Sequence, residues 1–136
     1  MTIEFREDAP PIDKYWMLFE TTGWNHNYQA TPGELAQAIA SSWQVIVAYD
    51  GDRLIGFGRI VSDCALHAMI YDLIVVPDYQ NQGIGTRILE MLVKKCQDAN
   101  IRDIQLFCAR GKREFYEKRG FVVRPEDAPG MQLRRG

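Results

Sequence analysis

Apolar and polar positions change period along the chain, and each period marks an element. Residues 2–6 alternate and read as a first strand. A helix over 12–21 follows, stopped by Gly23. Thr31-Pro32-Gly33-Glu34 supplies an N-cap, a proline at the first helical position and a glutamate at the third, so a second helix is predicted over 32–41. Residues 44–49 are β-branched and apolar. Asp50-Gly51, with Asp52, turns the chain, and 53–61 returns as the second arm of a hairpin. Residues 67–76 form the next strand. Ile84, Ile88, Leu89, Met91, Leu92, Val93 and Cys96 make a helical stripe across 83–98. A strand over 103–108, a short helix over 111–118 and strands at 121–124 and 131–134 complete the reading, the last two joined by a turn-rich stretch at 125–130. The order βααβββαβαββ predicts an α/β fold with a mixed, mostly antiparallel central sheet flanked by helices. No repeat, low-complexity tract or linker interrupts it, and 136 residues suit a single domain over 1–136.

Composition narrows the partners. A net charge of −2 gives no general attraction to nucleic acid or an anionic membrane. No window approaches the roughly 18 apolar residues of a membrane span, and the acidic N-terminus has no apolar signal core. Cys64, Cys96 and Cys108 are an odd number without metal-ligand spacing, so they read as reduced thiols in a cytoplasmic protein that holds no metal. Cys108 reads as a small buried apolar residue rather than a nucleophile.

The chemistry concentrates after the strand that ends in Leu73-Ile74-Val75-Val76. Pro77-Asp78-Tyr79-Gln80-Asn81-Gln82-Gly83-Ile84-Gly85-Thr86 leads from that strand into the helical stripe. Glycines at a helix N-terminus let backbone N–H groups approach an anion, and the helix dipole favours negative charge there. The expected ligand carries phosphate, most naturally a pyrophosphate. No Lys-Ser or Lys-Thr pair follows, which excludes a P-loop, and Ile88 stands where a dinucleotide fingerprint needs its third glycine. What is left is Gln80-x-x-Gly83-x-Gly85, preceded by Val75-x-Pro77-x-Tyr79. The bland alternative is a tight turn whose glycines serve only the backbone.

A second motif, Phe115-Tyr116-Glu117-Lys118-Arg119-Gly120-Phe121, follows about thirty residues later. Gly120 is expected to end the short helix in a left-handed cap. With both motifs in this order, the chain resembles the GNAT superfamily of acyl-CoA-dependent N-acetyltransferases, and the resemblance runs over nearly the whole chain. It implies the GNAT fold, with splayed strands forming an acetyl-CoA cleft, and acetyl-CoA as cosubstrate. It implies that backbone groups from Gln82 through Gly83, Ile84 and Gly85 to Thr86 wrap the pyrophosphate. Gln80 would orient the loop, and Arg87 is a further candidate for phosphate. The backbone of the strand from Leu73 through Ile74 and Val75 to Val76 would pair with pantetheine as an added strand, with an N–H near Ile74 or Val75 facing the thioester oxygen.

The resemblance also implies Tyr116 as general acid for the departing thiolate, while Phe115 packs. For the base, Asp72 is the first candidate, because a carboxylate in an apolar strand is costly without a partner. Asp63 and His67 come next, and a water chain could replace all three. The acceptor pocket is expected from the loop Thr22-Gly23-Trp24-Asn25-His26-Asn27-Tyr28, where Trp24 and Tyr28 could stack on an amine, with Asp63 contributing. Arg59-x-x-Ser62-Asp63, Ile70-Tyr71-Asp72, Leu106-Phe107-Cys108-Ala109 and Gly130-Met131 resemble the plant and cyanobacterial serotonin N-acetyltransferase-like branch. That likeness ranks small amines first, arylalkylamines among them, and protein lysine second. A catalytically idle acyl-CoA sensor and an interaction module are the competing classes. The family habit also implies a homodimer.

Overall fold

A computed structural model describes residues 2–135. The chain forms two compact units, Met1–Leu106 and Phe107–Gly136. The first contains β1 (Ile3–Arg6), α1 (Ile12–Glu20), α2 (Asn25–Tyr28), α3 (Pro32–Ala40), β2 (Gln44–Asp50), β3 (Arg53–Ser62), β4 (His67–Val75), a 3-10 turn (Pro77–Tyr79), α4 (Ile84–Asp98) and β5 (Asp103–Leu106). The second contains α5 (Arg113–Glu117).

The sheet runs β1-β2-β3-β4-β5. The first four strands are antiparallel neighbours, β2–β3 and β3–β4 through short links and β1–β2 across the three helices, and the crossover through α4 makes β5 parallel to β4. The N-terminus of α3 has both arms of the predicted capping box. Glu34 N–H donates to Thr31 Oγ1 at 3.1 Å, and Thr31 N–H donates to Glu34 Oε1 at 2.9 Å. The α2 turn was not legible as a helix, since four residues carry no periodicity. Asn25 fixes it by accepting from Ala30 N–H at 2.7 Å and donating to Ala30 C=O at 3.1 Å.

Both faces of the central strands are covered, which is why β2 and β3 read as near-continuous apolar runs. Side chains alternate along β3. Phe57 meets the Tyr15 ring of α1, with centroids 4.5 Å apart. Gly56 and Gly58 face α4 instead. A Cβ on Gly56 would stand 2.8 Å from Ile88 Cδ1, and one on Gly58 would stand 2.8 Å from Leu92 Cδ1 and 3.0 Å from Ile88 Cγ2. The missing side chains let α4 lie close on the sheet, with Ile84, Ile88, Leu89, Leu92 and Cys96 buried beneath it.

Two expectations fail in the second unit. Residues 121–124 and 131–134 form no strand. Their apolar side chains are outside, with Val122 87% and Leu133 95% exposed, and among the described residues no ladder takes them up. The link between them closes on itself, Ala128 N–H donating to Pro125 C=O at 2.9 Å. The strand predicted over 103–108 stops at Leu106, which leaves Cys108 exposed rather than buried.

Replacing Gly58 with valine puts two methyl groups and a Cβ into the α4 contact. Overpacking of this kind costs about 1–3 kcal/mol, so G58V should show a lower urea midpoint with an unchanged slope. An unchanged midpoint would mean that α4 does not rest on this glycine.

Candidate active site

The ladder between β4 and β5 is short. It pairs His67–Ile70 with Asp103–Leu106 and ends there. Past Ile70, β4 runs on to Val75 with only β3 as a strand partner. Val76 N–H donates to Ile55 C=O at 3.0 Å, towards β3. Backbone direction alternates along a strand, so Val75 and Leu73 turn their N–H and C=O groups to the open edge, and Ile74 turns its own to β3. Consistent with this, Val75 C=O accepts from Gln80 Nε2 at 2.9 Å. Ile74 and Val76 have buried side chains. Which residues of Leu73 to Val76 turn to the open edge is set by strand pairing, not by residue type.

A bulge marks the place where β4 departs. Between the pairs Arg59↔Tyr71 and Phe57↔Ile74, Asp72 and Leu73 stand opposite the single residue Gly58. Asp72 takes a left-handed backbone, φ 56°, which Asp tolerates better than most residues. Its Oδ2 accepts from Arg59 Nε at 2.8 Å, and both side chains are half-buried. Arg59 Nη1 also donates to Ser42 Oγ at 3.2 Å, and the guanidinium lies 5.3 Å from the Tyr71 ring centroid. The partner that a carboxylate in an apolar strand requires is therefore Arg59, from the neighbouring strand.

The loop after β4 is tied to the β2–β3 hairpin. Arg53 makes two hydrogen bonds to the Asp78 carboxylate, at 3.0 and 3.3 Å, and these hold that carboxyl below its ordinary range. The Tyr79 hydroxyl donates to Asp50, and Arg53 stacks over the Tyr79 ring. Gly83 is the N-cap of α4, with φ 82° and no capping side chain. Arg87 N–H donates to Gly83 C=O at 3.0 Å, the first bond of the helix. The N–H groups of Ile84 and Gly85 precede that bond and have no intrahelical acceptor. A Cβ on Gly83 would meet no atom within 4 Å, so the space before the helix is open to an anion. Open β4 edge and helix terminus lie on one continuous segment, a fit for an extended amide arm that ends in phosphate.

The residues expected to hold the acceptor separate into two groups. Trp24 and Tyr28 pack around Phe19, with centroids 6.1 and 6.4 Å away, and Tyr28 is 62% exposed. Asp63 serves the β3–β4 connection. Its Oδ1 accepts from the N–H groups of Ala65, Leu66 and His67 at 2.8, 2.8 and 3.1 Å, which holds its carboxyl below the ordinary range. His67 Nδ1 lies 3.1 Å from Asp103 Oδ2. These three residues line an open groove of about 440 Å³. Among the described residues, no three of His, Cys, Asp and Glu gather as a metal-ligand set.

In the second unit, Gly120 has the predicted left-handed backbone, φ 93°. Phe121 N–H donates to Tyr116 C=O at 3.1 Å and Gly120 N–H to Glu117 C=O at 3.3 Å, the two bonds of a Schellman cap. Tyr116 packs edge-on against Phe115 and Phe121. Burial first, then the Cys108 thiol, push its phenol up to about 12. Phe115 lies under the Arg119 guanidinium, as a packing residue would.

The sequence matches the acetyltransferase (GNAT) domain over residues 18–129. The chain belongs to the GNAT acetyltransferase family. The GNAT domain is 38% identical over 79 residues to the "uncharacterized N-acetyltransferase ycf52" of Porphyra purpurea, covering 58% of this chain and 45% of that protein. It is 42% identical over 79 residues to the histone acetyltransferase TAP1 of Glycine max, covering 58% of this chain and 34% of that one. The matched stretch thus spans less than half the length of these relatives. The GNAT-family acetyltransferase SP0256 of Streptococcus pneumoniae has a similar structure, with a TM-score of 0.81, 26% identity and 98% of each chain covered. No described helix is long and apolar enough to cross a membrane.

Gly83→Glu places a carboxylate before the α4 N-terminus and a side chain on a left-handed backbone. Calorimetry should show acetyl-CoA binding abolished, and near-normal affinity would remove this helix terminus from the cofactor site.

Proposed function

We propose that this GNAT domain transfers the acetyl group of acetyl-CoA to a primary amine, by direct attack in a ternary complex, with small arylalkylamines the first-ranked acceptors. The observation that carries the reading is the continuity of the open β4 edge with the uncapped α4 terminus. Leu73 and Val75 offer strand-like backbone groups to the pantetheine amides and the thioester oxygen, and Ile84 and Gly85 offer N–H groups to the pyrophosphate. Gln80 and the Arg53–Asp78 pair keep the connecting loop in place. Gln82 and Thr86 flank the same terminus and belong to the proposed phosphate cradle.

Bound acetyl-CoA supplies the acetyl group as a thioester. Asp72 keeps Oδ2 on Arg59 and presents Oδ1 to the amine. Tyr116 supplies a proton to the thiolate, a role taken from its place in Phe115-Tyr116-Glu117-Lys118-Arg119-Gly120-Phe121, and burial keeps its phenol protonated at neutral pH. The amine lone pair forms the new C–N bond as the C–S bond breaks. Sulfur takes the Tyr116 proton, and the nitrogen loses one through Asp72 to water, from which Tyr116 is restored. Amine and thioester become amide and thiol, and the proton count is unchanged.

Protein lysine is the second reading, favoured by the name of the Glycine max relative, a histone acetyltransferase. A reducing compartment such as the cytoplasm suits three free cysteines, of which Cys64 and Cys108 are exposed.

A thiol-release assay with arylalkylamines, polyamines, amino acids, aminoglycosides and a lysine peptide tests the reading. Turnover is expected on the arylalkylamines. Turnover on the peptide alone would transfer the proposal to protein lysine, and acetyl-CoA binding without any turnover would make the domain a sensor. On an active acceptor, Tyr116→Phe should lower kcat by about 100-fold with acetyl-CoA affinity kept. Because the proton-donating form is lost only above a pKa of about 12, the wild-type rate should rise with pH as the amine deprotonates and show no fall up to about pH 10. A fall near pH 8 or 9 would assign the acid to another group.

A further inference from the structure

Tyr15 stands out among the buried side chains that the mechanism leaves unused. It lies on α1, is 1% exposed, and its ring rests on Phe57 at 4.5 Å and Phe19 at 5.8 Å. Its hydroxyl makes no hydrogen bond to any described residue, whereas no fully sealed side-chain polar atom among those residues lacks a partner. The small accessible remainder of Tyr15 therefore includes its oxygen, which a water molecule can touch. A phenol so placed has no protein partner among the described residues and is left for water or a ligand to satisfy.

What lies around the hydroxyl is defined by the sheet. Phe57 and Arg59 are two apart on β3 and share the face that α1 covers. Arg59 carries the Asp72 carboxylate at 2.8 Å. Phe19, which stacks on Tyr15, also holds the Tyr28 ring. Burial raises the Tyr15 phenol far above its ordinary value. The negative charge of Asp72 adds to this, Arg59 opposes it, and Tyr28 contributes in the same direction as Asp72. The hydroxyl thus sits in the field of the charged pair and beside the exposed aromatic loop.

We propose that the Tyr15 hydroxyl is a direct contact for the acceptor nitrogen, and that with Asp72 it selects a primary amine carried on an aromatic body. The proposal rests on the acetyl-transfer reading above. An attacking amine must keep its lone pair for the carbonyl carbon, so it can be held only through its N–H groups. A neutral primary amine has two. One donates to the Tyr15 oxygen and the other to Asp72 Oδ1, while Trp24 and Tyr28 lie against the body of the amine. A secondary amine has a single N–H and must leave one of these acceptors unpaired.

Tyr15→Phe removes the hydroxyl and keeps the ring on Phe57. Calorimetry with phenethylamine on the CoA-loaded protein at about pH 10.5, where an alkylamine is largely neutral, should show affinity about tenfold weaker, the worth of one hydrogen bond. The affinity for CoA should stay within about twofold, within the scatter of such measurements, and Tm should not fall. The wild type should prefer phenethylamine to N-methylphenethylamine, and the variant should lose most of that preference. Equal phenethylamine affinity in the two proteins, or an unchanged preference, would overturn the assignment. Wild-type protein that binds CoA but not phenethylamine would overturn it too, leaving acetyl transfer to be judged on the other amines. Failure of the wild type to bind CoA would overturn both.

Discussion

The site depends on β4 parting from β5 after Ile70. A strand edge inside a protein normally has its N–H and C=O groups paired, and here β4 continues with one neighbour only. The bulge at Asp72 and Leu73 accompanies that departure. Asp72 on a left-handed backbone would strain an ordinary strand, and the Arg59 ion pair gives its carboxylate a fixed partner at that point. A charge-assisted bond between half-buried groups is stronger than a neutral one. The same pair thus serves the backbone and the proposed site. Removing either member would leave a half-buried charge behind, which makes the pair a poor place to read catalysis from a single substitution.

Close packing from the other side makes the open edge sustainable. Gly56 and Gly58 let α4 lie on β3, and Ile88 and Leu92 fill the space their side chains would take. The helix that supplies the proposed phosphate cradle is therefore seated on the strand next to β4. The loop between them is short, and Arg53, Asp78, Tyr79 and Asp50 tie it to the hairpin turn. Helix terminus and strand edge are held by separate anchors. A cofactor that spans both would meet a preformed surface and lose less ordering entropy on binding.

The proposed acceptor side is built differently. Phe19 gathers Tyr15, Trp24 and Tyr28 from α1 and the turn that follows. Asn25 braces that turn by two bonds to Ala30. Asp63, by contrast, commits one oxygen to three backbone N–H groups of its own turn. Two carboxylates that look alike in sequence thus have different work. Asp72 is held by a side chain from a neighbouring strand and Asp63 by its own backbone.

Local signals made most of the first unit legible. The capping box at Thr31, the β2–β3 turn and the apolar stripe of α4 are short-range patterns, and each element formed within a residue or two of its expected bounds. The glycine-spaced loop and the Gly120 cap were readable for the same reason, since each requires a particular residue at a particular backbone position. The strands expected at 121–124 and 131–134 were not formed, because an apolar pattern becomes a strand only where a ladder accepts it. Sequence by itself determined most elements of the first unit, the family motifs and the candidate residues. Tertiary structure decided that Arg59 partners Asp72, that Leu73 and Val75 rather than Ile74 face the open edge, and that the Tyr15 hydroxyl has no partner among the described residues. Those are facts of pairing between strands and helices distant in the chain, and no local pattern of residues encodes which neighbour a side chain will meet.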